Sequence, residues 1–213
     1  MSSKINLQTC EYARKSSIFQ DNQLILEKCD RMDTLRQIGD MCMNLIAAAD
    51  ENWAIGKDGG LLAHLPGDMK FFRETTKEKV VVMGRKTLES FPGKKPLKNR
   101  VNIVLTRNTD YAPEGVTLCG SVEEALELLK QYDSEDVFII GGGTVYRAFL
   151  PYCKKAYITH IFHTFPADTV FPDLDREPRW KQTKVLGTGE DNGIRYEFRL
   201  YEQQPVSDGK GGI

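Results

Sequence analysis

Short apolar runs alternate with amphipathic stretches along most of this chain. Runs rich in β-branched residues lie at 44–49, 80–83, 101–105 and 137–140, and each is typical of a strand. Because these runs are apolar throughout rather than at every second position, both faces of the sheet should be covered. The pattern predicts an α/β fold with a mostly parallel central sheet and helices on both faces.

The stretches between these runs have the apolar spacing of helices. We predict helices over 66–76, 85–91 and 121–131, the last with Ser121 as its cap and Glu124 three residues later.

The C-terminal part has a different pattern, with predicted strands over 154–162, 181–186 and 194–201. The step Asn192-Gly193 between the last two is typical of a hairpin turn. The sheet should therefore have an antiparallel C-terminal edge.

The two ends of the chain differ from the middle in their pattern of apolar and polar residues. Residues 1–42 form an N-terminal extension that is partly helical, with apolar side chains at helical spacing over about 20–38. This extension is either a docking or dimerising element or, the interpretation we favour, a dispensable segment or an upstream translation start. Residues 203–213 are polar and glycine-rich, which predicts a flexible tail. One catalytic domain should span 43–202.

Composition argues against several classes of protein. The net charge of -1 gives no general attraction to nucleic acid or membranes. The five cysteines are odd in number and form no CxxC pair, so neither a disulfide framework nor a zinc site is indicated. Charges near the N-terminus and the absence of a long apolar run argue against a signal peptide and a membrane span. We expect a cytoplasmic protein without a metal.

Glycines follow the strand predicted at 137–140. Gly141, Gly142 and Gly143 stand there, and Thr144 begins the next helical stretch. Backbone amides beside bare glycines can approach a phosphate closely, although a tight turn alone would explain the glycines equally well. The run is not the GxGxxG fingerprint, because the sixth position is a tyrosine.

Cations follow the two preceding strands. Arg85 and Lys86 come after the strand at 80–83, and Arg107 comes after the strand at 101–105. Each of these side chains alone is more simply a solvated surface cation. Because ligands bind beyond the carboxyl ends of parallel strands, the three loops together point to one phosphorylated dinucleotide.

An acidic residue stands in an apolar segment of the chain. Asp68 lies in the first turn of the helix predicted at 66–76, with Met69 beside it and Phe72 one turn later. If it faces an apolar cleft, its pKa should be raised, and it would suit a cationic or amidine-like ring. The simpler alternative is an aspartate that caps the helix.

Several blocks of this sequence have a distinctive order and spacing: Met43 to Ala49, Trp53 to Gly56, Leu65 to Asp68, Val82 to Thr87, Ile140 to Gly143 with Tyr146, Thr159 to Ile161, and Phe165 to Pro172. In this order and spacing the blocks resemble those of the bacterial-type dihydrofolate reductases. The resemblance implies NADPH-dependent reduction of 7,8-dihydrofolate to 5,6,7,8-tetrahydrofolate, with hydride transfer to C6 and protonation at N5. It places the chain in one-carbon metabolism, as an antifolate target.

The resemblance also implies a set of site residues. Asp68 should be the catalytic group that holds the pterin through N3 and the 2-amino group, while Arg100 should bind the α-carboxylate of the glutamate tail. The substrate-binding residues would be Ile46, Ala47, Asp68, Met69, Phe72, Phe91, Leu97, Arg100, Ile140, Tyr146 and Thr159. The NADPH-binding residues would be Ala48, Ile55, Gly56, Gly84, Arg85, Lys86, Thr87, Leu105, Thr106, Arg107, Ile140, Gly141, Gly142, Gly143, Thr144, Val145 and Tyr146.

The partners implied are small molecules, namely dihydrofolate and antifolates, with no nucleic acid and no membrane, and the protein should be a monomer. Residues 50–64 resemble the mobile loop that closes over the nicotinamide.

One position departs from the family pattern. Most members have a Pro-Trp pair where this chain has Leu62-Ala63. The missing Trp puts the kinetics and antifolate sensitivity in doubt, although we expect the activity to survive. Two alternatives remain: a related NADPH-dependent pyrimidine reductase of riboflavin biosynthesis, and a non-catalytic nucleotide-binding module.

Overall fold

The computed structural model describes residues 41–205, which contain a large and a small β-sheet. The strands are β1 (Met43–Asp50), β2 (Ala54–Gly56), β3 (Val80–Gly84), β4 (Val101–Leu105), β5 (Thr117–Cys119), β6 (Val137–Gly141), β7 (Cys153–Ile161), β8 (Thr169–Val170), β9 (Trp180–Asp191) and β10 (Ile194–Gln203). The α-helices are α1 (Pro66–Thr75), α2 (Arg85–Glu89), α3 (Val122–Leu129) and α4 (Gly143–Phe149), and 3-10 turns lie at Pro92–Lys94, Ser134–Asp136 and Leu150–Tyr152.

The large sheet is mostly parallel. Its eight strands have the order β5-β4-β3-β6-β1-β7-β10-β9, and β2 pairs with β8 in the small sheet. Neighbours from β5 to β7 pair in parallel, whereas β10 pairs antiparallel with both β7 and β9. The predicted α/β architecture with an antiparallel C-terminal edge is confirmed.

The residues of the middle strands are buried on both faces of the sheet. Val81, Val82 and Met83 of β3 are fully buried, and all five residues of β6 are buried. Successive side chains of a strand point to opposite faces, so burial of every residue requires a layer on each side. Helix α3 contributes Leu126 and Leu129 to these layers, and Ser121 accepts its cap hydrogen bond from the Glu124 amide, as predicted.

Some elements differ from the prediction. The short strands β2, β5 and β8 were not predicted, because two or three residues carry too little periodic signal. Strand β9 extends to Asp191, five residues beyond the predicted end, through Gly187 and Gly189. Pairing with β10 keeps these glycines in a strand, although glycine has no intrinsic preference for that conformation.

The predictions for the chain ends lie outside the described residues. These are the helix at 20–38 and, of the flexible tail predicted at 203–213, residues 206–213. Gln203, the first residue of the predicted tail, is the last residue of β10. Within residues 41–205, no helix is both long and apolar enough to cross a bilayer.

Candidate active site

The carboxyl ends of the parallel strands open into a large cavity. Its volume is about 1340 Å³, and it lies beside the ends of β1, β3, β4 and β6. Every residue predicted to bind the cofactor lines this cavity, as do Ala47 and several loop residues that were not predicted. The other predicted substrate residues, apart from Ile140 and Tyr146, do not line it and are described below.

The glycine loop after β6 is shaped by close contacts. Gly141 has a φ of +117°, and a Cβ there would lie 3.1 Å from the ring of Tyr146. A Cβ on Gly143 would lie 2.9 Å from the Thr169 methyl carbon. The glycines therefore make a tight turn and at the same time leave the backbone exposed to the cavity, so the two interpretations of this motif are compatible.

Five cations of residues 41–205 line the cavity: Arg85, Lys86 and Arg107, which were predicted to bind the cofactor, and Lys57 and Arg147, which were not. Arg85 donates to both carboxylate oxygens of Glu89 at 2.8 and 3.0 Å, and its guanidinium lies 5.9 Å from the Tyr111 ring centroid. Helices α2 and α4 are only five and seven residues long, so their dipoles are weak. The attraction for an anion is therefore supplied mainly by side-chain charge.

The loop after β1 is tied down at its base by Asp50. This carboxylate is buried, and Oδ1 accepts from the amides of Asn52 and Ala54 at 2.8 and 2.9 Å. Its Oδ2 accepts from the Phe165 amide at 2.9 Å. Hydrogen bonds from three amides stabilise the carboxylate of Asp50, which makes burial of its charge tolerable.

The tip of the same loop is held by Asp168. Its Oδ2 accepts from the Asp58 amide at 2.8 Å, and its Oδ1 accepts from the Thr169 hydroxyl at 2.8 Å. These hydrogen bonds lower the pKa of the exposed Asp168 carboxyl, the Asp58 amide contributing most. Because Asp58 and Asp168 both line the cavity, this contact fixes the loop across the cavity wall.

Asp68 is not a helix cap. Helix α1 begins at Pro66 after Leu65, and no side chain caps its N-terminus. The Asp68 carboxylate instead hydrogen-bonds the side chain of Thr159, which is almost fully buried on β7. Burial raises the pKa of Asp68, the Thr159 hydrogen bond lowers it, and the charge of Asp191 raises it further; the net direction is upward.

Tyr146 lines the cavity and is close enough to Asp68 for the charge of that carboxylate to affect its pKa. Its hydroxyl donates to the Ile46 carbonyl at 2.7 Å, and its ring packs edge-on against Phe171 with centroids 4.7 Å apart. Burial and then the charge of Asp68 raise the pKa of Tyr146, so the phenol stays protonated. It therefore acts as a fixed donor.

Five of the apolar side chains predicted for the substrate pocket lie in one cluster. Ile46 and Ile140 belong to a buried core cluster, and Phe72, Phe91 and Leu97 pack against it while remaining partly accessible. The sequence predicted all five for the substrate pocket, and the structure brings them together. Met69, also predicted there, is 40% exposed.

Arg100 lies near this apolar cluster. Its guanidinium is 5.8 Å from the Phe72 ring centroid, and among the described residues its Nε is the buried side-chain nitrogen that lacks a hydrogen-bond partner. Burial and the charge of Arg73 lower its pKa, which leaves an arginine charged.

Asn102, a residue that the sequence did not single out, positions the loop that carries Arg100. Its side chain accepts from the Leu97 amide at 3.0 Å and donates to the carbonyls of Leu97 and Arg100 at 2.9 and 3.0 Å.

Sequence reasoning missed four polar residues that shape the site, namely Asp50, Asn102, Asp168 and Asp191. Asn102 is a polar residue within the predicted strand at 101–105, and Asp50 directly follows the apolar run at 44–49, which is a signal that could have drawn attention to them. Asp168 stands in a block that matched the family, but no role was given to it. Within residues 41–205, no group of three side chains could hold a metal ion.

Comparisons with known proteins agree with this geometry. A family model described as dihydrofolate reductase matches residues 42–203. The chain is 39% identical over 171 residues to the dihydrofolate reductase of Bacillus subtilis (strain 168), which covers 79% of this chain and 99% of that protein. It is also 39% identical over 176 residues to the dihydrofolate reductase of Drosophila melanogaster, covering 75% and 97% of the two chains.

A solved structure gives the same result. Dihydrofolate reductase from Enterococcus faecalis, complexed with NADP(H) and RAB-propyl, superposes with a TM-score of 0.69 at 39% identity, covering 77% of this chain and 97% of that one. Sequence, fold and the polar groups of the cleft thus lead to one conclusion: the chain belongs to the dihydrofolate reductase family.

Proposed function

We propose that this chain reduces 7,8-dihydrofolate to 5,6,7,8-tetrahydrofolate with NADPH, using Asp68 to anchor the pterin ring. The observation that carries the proposal is the half-buried Asp68 carboxylate, which is held by Thr159 near a large cavity lined by cations. A pyrimidine reductase of riboflavin biosynthesis would share the fold but has no need of this acid in an apolar pocket. The family match favours dihydrofolate reduction over that alternative and over a non-catalytic module.

The main cavity fits NADPH. Its volume of about 1340 Å³ suits an elongated dinucleotide better than a small ligand. Arg85, Lys86 and Arg107 would bind phosphate charge, and the backbone beside Gly142 and Gly143 would approach the ligand closely. NADPH supplies the hydride when bound, and the protein's task is to hold and orient the reacting groups.

Asp68 would bind the pterin as an amidine-like group, accepting hydrogen bonds from N3 and the 2-amino group. Thr159 keeps the carboxylate in one orientation. The hydride reaches C6 and the proton at N5 comes from solvent, so Asp68 anchors and polarises the ring. Because its pKa is raised, the pKa of Asp68 lies closer to neutral pH than the pKa of a solvated aspartate does.

The loop after β1 would exclude water during hydride transfer. It contributes Ile55, Gly56 and Asp58 to the cavity wall, and the contact between Asp58 and Asp168 holds it there. Exclusion of water strengthens the electrostatic interactions inside the cleft.

The Arg100 guanidinium would bind the α-carboxylate of the glutamate tail. Its position near the Phe72 ring, on a loop held by Asn102, supports this role, because a guanidinium can bind a carboxylate through two parallel hydrogen bonds. All these groups belong to one chain, so we propose that the enzyme is a monomer. Its ligands would be dihydrofolate and antifolates. It would be cytoplasmic, with no nucleic-acid or membrane partner.

The direct test is NADPH oxidation followed by absorbance at 340 nm, the usual wavelength for this cofactor, with the purified full-length protein. We expect a decrease that requires dihydrofolate and is abolished by methotrexate. NADPH binding without dihydrofolate turnover would contradict the proposal and favour the non-catalytic module. Turnover of a pyrimidine intermediate of riboflavin synthesis in place of dihydrofolate would favour the related reductase.

A further inference from the structure

A second carboxylate, that of Asp191, lies next to the start of helix α1. Asp191 is the last residue of β9, at the hairpin that leads into β10. Its Oδ2 accepts from the Gly67 amide at 2.8 Å and from the Tyr196 hydroxyl at 2.9 Å. The hairpin is therefore tied to the residue that immediately precedes Asp68.

Two glycines make room for this arrangement. A Cβ on Gly67 would lie 2.0 Å from the Tyr196 hydroxyl oxygen, and a Cβ on Gly189 would lie 2.4 Å from it. Gly189 is the cross-strand partner of Tyr196, so the ring lies across the bare backbone of β9. Neither glycine has a positive φ, so their role here is to leave space rather than to allow an unusual backbone conformation.

The arrangement lies on the side of the pocket where most of the family have a tryptophan. Ala63, which occupies that position, packs against the cluster formed by Leu65, Ile161 and Tyr196. Tyr196 is 4% exposed. Next to this cluster, Asp191 accepts from both the Tyr196 hydroxyl and the Gly67 amide at the helix start.

We propose that Asp191 is a positioning residue for Asp68: it fixes Gly67 and Tyr196 and so holds the Asp68 carboxylate against Thr159 in the orientation that receives the pterin. The proposal rests on the proposed function, because that function makes Asp68 the anchor. Both hydrogen bonds end on the same oxygen of Asp191. An asparagine could therefore accept both with its amide oxygen while lacking the negative charge, so substitution can separate the hydrogen bonds from the charge.

The charges around Asp68 support a coupling between the two carboxylates. Asp191 on β9 raises the pKa of Asp68, while Tyr196 on β10 and Tyr146 on α4 both have pKa values raised in part by the charge of Asp68. Burial, with its hydrogen bond to Asp191, raises the pKa of Tyr196 to about 12, so its hydroxyl stays a donor. Thr159 on β7 supplies the remaining polar contact.

The test uses full-length variants: Asp191→Ala, Asp191→Asn and the control Glu190→Ala, which removes an exposed carboxylate from the same hairpin. We expect Asp191→Ala to lower kcat/KM for dihydrofolate and to weaken methotrexate binding by about tenfold, the usual effect of losing a charge-assisted hydrogen bond. The KM for NADPH should stay within about twofold, because Asp191 does not line the main cavity.

The asparagine variant separates the two contributions. Its amide oxygen can accept both hydrogen bonds, so kcat/KM should recover most of the loss at the pH optimum. Removing the negative charge lowers the pKa of Asp68, so the part of the pH profile governed by that group should move to lower pH.

Several outcomes would overturn the positioning role. Equal values for Asp191→Ala and Glu190→Ala would do so, as would an equal loss of NADPH and methotrexate binding, which would indicate general damage to the fold. A pH profile for Asp191→Asn identical to that of the wild type would also contradict it. If the wild-type protein fails to reduce dihydrofolate, the proposed function fails instead.

Discussion

In the proposed enzyme, the two halves of the cleft would bind their ligands by different physics. The proposed cofactor half contains the main cavity, which is lined by cations and by glycine backbone at neighbouring strand ends. The proposed pterin half, with Asp68, Thr159 and the predicted apolar side chains, would depend on one carboxylate whose pKa is raised by burial. A cation near solvent costs little to keep charged, whereas a buried carboxylate costs stability. Substitutions in the two halves should therefore have contrasting effects.

The largest effect should come from the pterin half. Asp68→Asn keeps the shape of the side chain but removes the charge that anchors the ring, so kcat/KM for dihydrofolate should fall by about 10² or more. Binding of NADPH, measured by fluorescence titration, should change little because Asp68 does not line the main cavity. Near-normal turnover would refute the assigned role of Asp68.

Substitutions in the cofactor half should change the preference of the enzyme for NADPH over NADH. Arg107→Ala should raise the KM for NADPH by about tenfold, the usual cost of a lost charge-assisted contact, and leave the KM for NADH almost unchanged. Arg85→Ala should have a smaller effect, because Glu89 already neutralises part of that charge. Lys77→Ala, a change at an exposed cation outside the cavity, is the control. Equal losses with both cofactors would argue against a phosphate contact.

The loop that closes the cavity should give a smaller change. Asp168→Ala removes the acceptor for the Asp58 amide, so the hydride-transfer rate should fall by roughly three- to tenfold. Asp168→Asn keeps one oxygen acceptor, so its hydride-transfer rate should lie between the rates of the wild type and of Asp168→Ala. Asp110→Ala removes an exposed carboxylate outside the cavity and serves as the control, measured by single-turnover kinetics.

The smallest effect, and the sharpest test of the contrast, concerns stability. Because the pKa of Asp68 is raised on folding, its charged form destabilises the folded state, and this cost increases as the pH rises above the ordinary aspartate value. Asp68→Asn should therefore raise Tm at pH 8 by an amount of the order of a few degrees. The gain should be constant above the raised pKa of Asp68 and should shrink as the pH falls through that pKa towards the ordinary aspartate value of 3.8. Arg107→Ala should leave Tm unchanged. A lower Tm for Asp68→Asn at pH 8 would contradict the expected cost of the buried charge.

Local patterns were sufficient for most of the fold. The strand predicted at 101–105 has the observed bounds of β4, and the Asn192-Gly193 hairpin lies where its turn signal stands. The glycine loop and its neighbouring cations could also be recognised, because parallel strands bring consecutive strand ends to one edge of a sheet. The pairing of β2 with β8 could not, since it depends on contacts between segments more than a hundred residues apart.

The sequence by itself predicted the order of the longer strands and helices, the loops proposed to bind the cofactor and Asp68 as the acid of the proposed pocket, because each depends on residues close together in the chain. Only the tertiary structure decided what surrounds that acid. Thr159, Tyr146 and Asp191 come from three different elements, and their hydrogen bonds and charges reach Asp68 only once the sheet has formed. The pKa of a side chain depends on burial and on neighbours in space, and spacing along the chain specifies neither.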